Sequence, residues 1–203
     1  TDTTFNGAAV QTTGSLTTTG TGTTTLNSVG TIGGSETVHA GTLLVNGAQT
    51  ATGNIGYTTT GPTTITQALT TTPGSNGTVT FTNAGLLTLA AAGDISADGA
   101  VTQNGAGAVS TAGDITTTND AVSLATAVTL TGPVSLATGA GPGDITFAGP
   151  VDGGQALTLA AGTGNVLFGD SVGGATPLAS VTVASATDTT FNGAAVQTTG
   201  SLT

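Results

Sequence analysis

The chain has 203 residues and a formal net charge of −10, with no lysine, arginine, cysteine, methionine or tryptophan. Without cationic side chains it lacks the groups that neutralise nucleic-acid phosphates or an anionic membrane surface, and without cysteine it forms neither disulfides nor zinc–cysteine sites. Its apolar runs, such as LLTLAAAG at 86–93, fall far short of the roughly 20 residues that cross a bilayer, so we expect no direct membrane insertion.

Short runs that alternate apolar and small polar residues recur along the chain. The 50 threonines are β-branched and favour strands, and alternation with period two is typical of a strand with one buried face. The 34 glycines interrupt any helix of useful length. The predicted strands in chain order are TVTF (78–81), LLTL (86–89), DIT (114–116), VSL (122–124), VTLTG (128–132), DITF (144–147), ALTL (156–159) and NVLF (165–168).

Turn signals recur in front of these strands. Glycine followed by Asp or Asn suits a corner, because all three residue types tolerate a left-handed backbone. We interpret four such corners as equivalent positions on successive rungs: GDI at 93–95, 113–115 and 143–145, and GNV at 164–166. Their Asp or Asn positions follow one another at intervals of twenty, thirty and twenty-one positions, and we read the longest interval as a rung lengthened by a loop.

The phenylalanines continue the same period, since Phe147, Phe168 and Phe191 follow one another at intervals of twenty-one and twenty-three positions. A period of about 20–22 residues predicts an all-β fold, a parallel β-helix (β-solenoid) in which each rung stacks on the one before it. Inward residues of successive rungs would then form ladders. The predicted ladder residues are Phe81, Ile95, Ile115, Ile145, Phe147, Val166, Phe168 and Phe191.

An internal repeat is the most specific signal in the sequence. Residues 1–17, TDTTFNGAAVQTTGSLT, are identical to residues 187–203, so that Asp2 corresponds to Asp188. We interpret residues 1–186 as one unit of a tandem β-solenoid array and residues 187–203 as the start of the next unit, in an excerpt of a longer protein. A unit of about nine rungs would rise ~43 Å. The alternative, a string of β-sandwich domains, predicts linkers and large aromatic core residues, and the sequence shows no clear linker.

Residues 147–193 carry a resemblance to a known family. The motifs are F-x-G-x-V at 147–151, G-Q-A-L-T-L at 154–159 and G-G-x-x-P-L-A-S-V-T-V at 173–183. The stretch resembles the repeats of giant bacterial filamentous-haemagglutinin-like adhesins and related β-strand-repeat surface proteins. That resemblance implies a secreted, very long and right-handed parallel β-helix at a bacterial surface. It brings with it neither a secretion domain nor a ligand site.

The only histidine, His39, and the only glutamate, Glu36, lie three positions apart in GGSETVHAG. The flanking glycines argue against a helix, and on a strand this offset places the two side chains on opposite faces. No second histidine is present to complete a metal site of the H-E-x-x-H kind. We therefore expect His39 in a loop or at the surface, with no catalytic role.

Aspartates at the predicted corners are the remaining candidates for chemistry. We expect no enzyme activity, because a turn role is the simpler interpretation and the basic residue of lyase-type β-helix enzymes is absent. Stacked carboxylates also make a candidate calcium site, since hard cations take carboxylate and carbonyl oxygens; the candidates for it are Asp94, Asp114 and Asp144. The aspartates that stacked rungs would bring near one another are Asp94, Asp98, Asp114, Asp120 and Asp144.

Thr-x-Thr pairs raise ice binding as a further alternative, because ice-binding solenoids present such pairs on a flat face. A lattice-matching face needs one pair on each rung, and here the spacing is irregular. Threonine's preference for strands accounts for the pairs without it. The pairs are Thr23–Thr25, Thr58–Thr60, Thr64–Thr66, Thr70–Thr72, Thr78–Thr80, Thr116–Thr118 and Thr129–Thr131.

These observations predict a structural protein: a tandem-repeat β-solenoid that forms a long, rigid, extracellular filament at a bacterial surface or in a biofilm matrix. The expected partners are further copies of the chain, joined end to end and bundled side by side, without nucleic acid and without a required cofactor. The alternative is the stalk of a giant adhesin whose binding tip lies outside this sequence. A calcium-dependent matrix module and an ice-binding solenoid are lesser alternatives.

Overall fold

Each alternating run of the sequence forms a short strand, and the strands stack into three parallel sheets that enclose one column. The computed structural model describes all 203 residues and contains 26 strands and no helix, so no helix could span a membrane. Every strand pairing is parallel, and from β1 to β24 successive strands pass from sheet A to sheet B to sheet C before the cycle begins again. The predicted β-solenoid is confirmed.

Twenty-six strands, numbered in chain order, make up the three sheets. Sheet A contains β1 (Thr3–Phe5), β4 (Thr23–Leu26), β7 (Thr42–Val45), β10 (Thr63–Ile65), β13 (Leu87–Leu89), β16 (Val109–Thr111), β19 (Val128–Leu130) and β22 (Val151–Asp152). Sheet B contains β2 (Val10–Thr12), β5 (Gly30–Ile32), β8 (Gln49–Ala51), β11 (Leu69–Thr71), β14 (Ile95–Ala97), β17 (Ile115–Thr117), β20 (Val134–Ala137), β23 (Ala156–Ala160) and β25 (Ser180–Ser185). Sheet C contains β3 (Leu16–Thr19), β6 (Glu36–Ala40), β9 (Ile55–Thr59), β12 (Val79–Asn83), β15 (Val101–Gln103), β18 (Val122–Leu124), β21 (Ile145–Phe147), β24 (Val166–Phe168) and β26 (Thr189–Phe191).

The rung length follows from the register of neighbouring strands. In sheet A the shortest steps, such as Val109 to its partner Val128, cover nineteen positions. The longest step in that sheet, from Thr63 to its partner Leu87, covers twenty-four. The predicted rung length lies between these limits and close to their mean. All eight predicted strands are present, with small shifts at their ends.

The core is a ladder of apolar side chains along the column, as the alternation predicts. Seven of the eight predicted ladder residues are buried, and Phe191 on the last rung is half-buried and packs against the core. Strands of three residues with the burial pattern buried–outward–buried recur throughout. Each such strand contributes two inward side chains, and valine, leucine and isoleucine occupy most of these positions, with buried threonines at some strand ends such as Thr71 and Thr117.

Buried amide side chains close one corner of the column, between sheets C and A. Gln103 donates from Nε2 to Asn83 Oδ1 at 2.9 Å and to the carbonyl of Gly105 at 3.0 Å. Asn83 donates in turn to the carbonyls of Gly85 and Gly107, at 2.7 and 3.1 Å. These bonds satisfy carbonyls of the turns that no strand partner reaches, and that satisfaction is what allows polar side chains to be buried.

The corners correct one sequence interpretation. Asp94 and Asp114 precede β14 and β17 in sheet B, whereas Asp144 precedes β21 in sheet C. The expectation that all four Gly-Asp or Gly-Asn corners share one position is therefore wrong. The longer interval between Asp114 and Asp144 is a whole rung plus one further side of the column, and the turn at 138–144 lengthens that rung only to 23 positions, from Val122 to its partner Ile145.

A glycine on the outer face of sheet C gives a test of the register. Gly56 lies between Thr37 and Thr80 on neighbouring strands, and a Cβ added there would have no atom within 4 Å. We expect Gly56→Thr to raise the free energy of unfolding by about 0.5–1 kcal/mol, because threonine favours a strand and glycine disfavours it. Denaturant unfolding followed by circular dichroism would measure the change.

The matched control is Gly107→Ala. A Cβ at Gly107 would clash with the carbonyl oxygen of Gly85 on the neighbouring rung, so stacking of the turns requires glycine at that position. We expect this variant to lose roughly 1–3 kcal/mol. If both variants changed stability in the same direction, the assigned register would be wrong.

Candidate functional site

The candidate functional site is the repeat junction, which we define as the contact between residues 187–203 and the rung that precedes them, residues 163–186. Residues 187–203 repeat residues 1–17 letter for letter. The junction therefore shows how the start of one unit sits on the end of the unit before it. For a protein whose predicted partner is a further copy of itself, this is the contact that matters.

Three stacked phenylalanine rings form the core of the junction. Phe168 lies between Phe147 and Phe191, with ring centroids 5.1 and 4.8 Å apart and an interplanar angle of 4° in both pairs. The three residues are in register on β21, β24 and β26. Parallel offset rings at these distances attract one another in addition to the stabilisation from their burial. The aromatic ladder therefore joins the start of the second repeat unit to the end of the first unit.

Backbone hydrogen bonds continue across the junction without a gap. Val166 N donates to the carbonyl of Asp188 at 2.9 Å, and Asn192 N donates to the carbonyl of Phe168 at 2.8 Å. Further along the chain, Val172 pairs with Val196 through a parallel bridge, and a second bridge joins Val181 to Leu202. The second copy therefore adds a rung to the same column.

The first copy of the segment presents the complementary end. Phe5 pairs with Leu26 on its C-terminal side and is half-buried, packed against the core. Its equivalent, Phe191, uses the other side of its ring to stack on Phe168. Sequence reasoning recognised the repeat and the phenylalanine period, but it could not show that the two meet at one contact.

The three aspartates of the candidate calcium site do not come together. Asp94 Oδ1 accepts from Asp114 N at 2.8 Å, and Asp114 Oδ1 accepts from Ser135 N at 2.8 Å, along the corner between sheets A and B. Asp144 lies on the corner between sheets B and C, where its Oδ1 accepts from Asn165 N at 2.7 Å. The residues do not fit one site for a cation, because they lie on two corners.

No group of three or more His, Asp or Glu side chains lies close enough to hold a metal ion. The carboxylates instead cap the backbone of the next rung. We therefore expect the melting temperature to be the same in EDTA and in millimolar calcium, because each of these carboxylates has a backbone donor in place of a cation. Thermal unfolding by circular dichroism would test this. A melting temperature that rises and saturates with calcium would contradict it and restore the calcium interpretation.

Asp98 caps a different kind of feature, the loop that precedes β12. Its Oδ2 accepts from Asn76 N at 2.5 Å, and the loop turns through positive φ angles at Gly74 and Asn76. Backbone hydrogen bonds from Asn76, Gly74 and Ser75 lower the pKa of the Asp98 carboxyl. Adjacent N–H groups in such a turn form an anion-binding concavity, and here the protein fills it with its own carboxylate. Asp120 lies on the same corner, where its carbonyl accepts from Thr117 Oγ1.

A buried carboxyl in the core is the polar feature that sequence reasoning missed. Glu36 is fully buried and stands in register between Leu16 and Ile55 on the neighbouring strands. Tyr57 Oη donates to Glu36 Oε1 at 3.1 Å, and Glu36 Oε2 has no hydrogen-bond partner. Glu36 and Tyr57 are the two buried titratable side chains of the chain. The sequence did contain a signal for this burial. Glu36, Val38 and Ala40 are every second residue of ETVHA, so Glu36 lies on the same inward face of the strand as two apolar residues.

Burial raises the pKa of both the Glu36 carboxyl and the Tyr57 hydroxyl. Burial raises the pKa of the Glu36 carboxyl from 4.5 to about 7, and the hydrogen bond from Tyr57 offsets only part of that rise. Burial, together with the charge of Glu36 and its hydrogen bond, raises the pKa of Tyr57 well above its ordinary value. Near pH 7, the column therefore contains a carboxyl group that is partly protonated.

His39 lies on β6 with its side chain exposed, on the opposite face of the strand from Glu36. The expectation of a surface position is confirmed, although the residue is on a strand and not in a loop. The Thr-x-Thr pairs lie on all three sheets, with Thr64 in sheet A, Thr70 in sheet B and Thr80 in sheet C. They do not line up as one two-column face.

Comparisons with protein-family models, with curated proteins and with solved structures found no match to this chain. The resemblance to filamentous-haemagglutinin-like adhesins stays a prediction from the motifs at 147–183. The class that the fold defines is a three-sided parallel β-solenoid repeat protein.

Proposed function

We propose that this chain is the repeating unit of an extracellular structural fibre, in which tandem copies continue a single β-solenoid. The observation that supports the proposal most directly is the repeat junction, where the second copy of the segment adds a rung by parallel pairing and phenylalanine stacking. A fibre built this way gains stiffness from hydrogen bonds that run along its axis, and each added copy covers the open edge of the last one.

The surface supports a mechanical role over a catalytic one. The aspartate side chains that the sequence singled out lie at corners, where Asp94, Asp114 and Asp144 cap backbone N–H groups. Threonine and serine occupy most outward strand centres, as in the run Thr64, Thr88, Ser110 and Thr129 along sheet A. With a net charge of −10 and no internal cation, such columns would pack side by side with the help of dissolved cations.

The stalk of an adhesin is the second candidate, because a stalk requires the same column. The two functions differ in assembly: a matrix fibre bundles laterally, whereas a stalk remains a single column that ends in a distinct domain. The motifs at 147–183 are compatible with either role.

Immunogold labelling tests the proposal in the organism. An antibody raised against residues 1–186 should label filaments outside intact cells, and electron microscopy should show laterally bundled filaments for a matrix fibre and isolated columns with a terminal domain for a stalk. Label confined to the interior of permeabilised cells would contradict both. An antibody to an abundant cytoplasmic protein is the matched control for cell integrity.

A further inference from the structure

The two copies of the identical segment lie on different sheets of the column. Thr3–Phe5 is in sheet A, whereas Thr189–Phe191 is in sheet C. We propose, as an inference that rests on the proposed fibre, that each successive copy is rotated by one third of a turn about the fibre axis. The partner of the open Phe5 end is then the sheet C end of the preceding copy.

All three sides of the segment move together, which excludes a local slip of one strand. Val10 is in sheet B, but its equivalent Val196 pairs with Val172, which in turn pairs with Val151 of sheet A. Leu16 is in sheet C, but its equivalent Leu202 pairs with Val181 of sheet B. Each part of the second copy has moved back by one sheet relative to the order in which the chain winds.

The number of strand positions in one unit explains the rotation, where each strand position is one side of the three-sided column. From β1 to β26 the chain makes twenty-five steps between numbered strands and one more at Val172, whose bridges occupy the sheet A position between β24 and β25. One unit therefore has twenty-six sides, or eight and two-thirds turns of a three-sided column. A unit of nine whole turns would have kept each sheet in place. Three units make twenty-six whole turns and restore the original orientation.

At the strand spacing of about 4.8 Å, one unit rises ~42 Å and the full period of three units is ~125 Å. Surface features that belong to one corner, such as the Asp94–Asp114 ladder, would therefore appear on each of the three edges in turn. A fibre with this arrangement presents equivalent surfaces in three directions, and copies of the fibre could pack around it on every side.

The repeat junction shows which residue would contact the open side of Phe5 in a tandem array. Phe191 stacks on Phe168, and Phe191 is the second-copy equivalent of Phe5. The preceding copy therefore places its Phe168 ring on the open side of Phe5. Because Leu26 is in register with Phe5 on the other side, the ladder crosses from sheet C of one copy into sheet A of the next without interruption.

A disulfide pair tests the local geometry in the chain as it stands, which contains no cysteine of its own. Leu167 and Thr190 are in register on β24 and β26, so L167C/T190C should oxidise to a disulfide, as non-reducing mass spectrometry would show. The control T146C/T190C, whose residues are two rungs apart, should stay reduced. If L167C/T190C stayed reduced in a chain with the wild-type circular dichroism spectrum, the inference would be overturned.

Single-particle electron cryomicroscopy without imposed symmetry tests the rotation in an array of six joined units. We expect a rise of ~42 Å per unit with a rotation close to one third of a turn. A continuous column of the same rise whose units show no such rotation would overturn the inference and leave the proposed fibre standing. Separate beads joined by linkers would overturn the inference and the fibre together.

Discussion

Replacing Phe168 with alanine should lower the free energy of unfolding by about 3–5 kcal/mol, the usual loss when a buried phenylalanine is truncated to alanine. The ring is fully buried between Phe147 and Phe191, so the variant leaves a cavity and breaks the ladder in two places. Guanidinium unfolding followed by circular dichroism would measure the loss. Hydrogen exchange of the Asn192 amide, which donates to the carbonyl of Phe168, should also become faster.

The control for this variant is Leu86→Ala. The Leu86 side chain is 46% exposed, so its truncation should change stability by no more than about 0.5 kcal/mol. A Phe168→Ala variant no less stable than Leu86→Ala would show that the rings do not stack in the core, and the junction as described would be wrong.

Acidic conditions should stabilise the column through Glu36. Its pKa in the folded chain is about 7, above its ordinary value of 4.5, so the folded state holds the proton to a higher pH than the unfolded state. The contribution is fully present below about pH 4.5 and is lost as the pH rises to about 7, at a total of about 3 kcal/mol. Unfolding free energies measured from pH 4 to pH 8 should fall accordingly.

Glu36→Gln should remove this part of the pH dependence, because the amide keeps an acceptor for Tyr57 Oη and carries no charge. The difference in stability between the variant and the wild type should therefore shift in favour of the variant by about 3 kcal/mol between pH 4 and pH 8. Asp188→Asn removes a carboxylate from an exposed position and should keep the wild-type slope. A Glu36→Gln variant with the wild-type slope would contradict the burial of this carboxyl.

The strands and the aromatic ladder could be predicted because alternation specifies one inward face. Phe147, Phe168 and Phe191 recur at nearly one rung, and each lies in the same column of sheet C. Glu36 was not predicted, since a lone carboxyl among flanking glycines resembles a surface turn. Only its register with Leu16 and Ile55 shows that its neighbours are apolar and that water is excluded.

The arrangement of corners was the harder part, because a three-sided rung offers three corners with the same chemistry. Gly-Asp suits each of them equally, so the sequence alone could not assign Asp114 and Asp144 to different corners. For the same reason, the sequence alone could not show on which sheet the second copy of the repeated segment begins. The expectation of about nine rungs is close to the eight and two-thirds turns of the structure, and the missing third is what places Phe191 in sheet C, one sheet back in winding order from the sheet A of Phe5.

If tandem copies form one continuous solenoid, the length of joined arrays should grow in proportion to the number of units. Chains of two, four and six units of residues 1–186, imaged by electron microscopy, should be rods of constant width that lengthen by ~42 Å for each added unit. Rods of constant width with that increment would support the claim. Strings of separate globular beads, or lengths that vary from particle to particle at a fixed number of units, would contradict it.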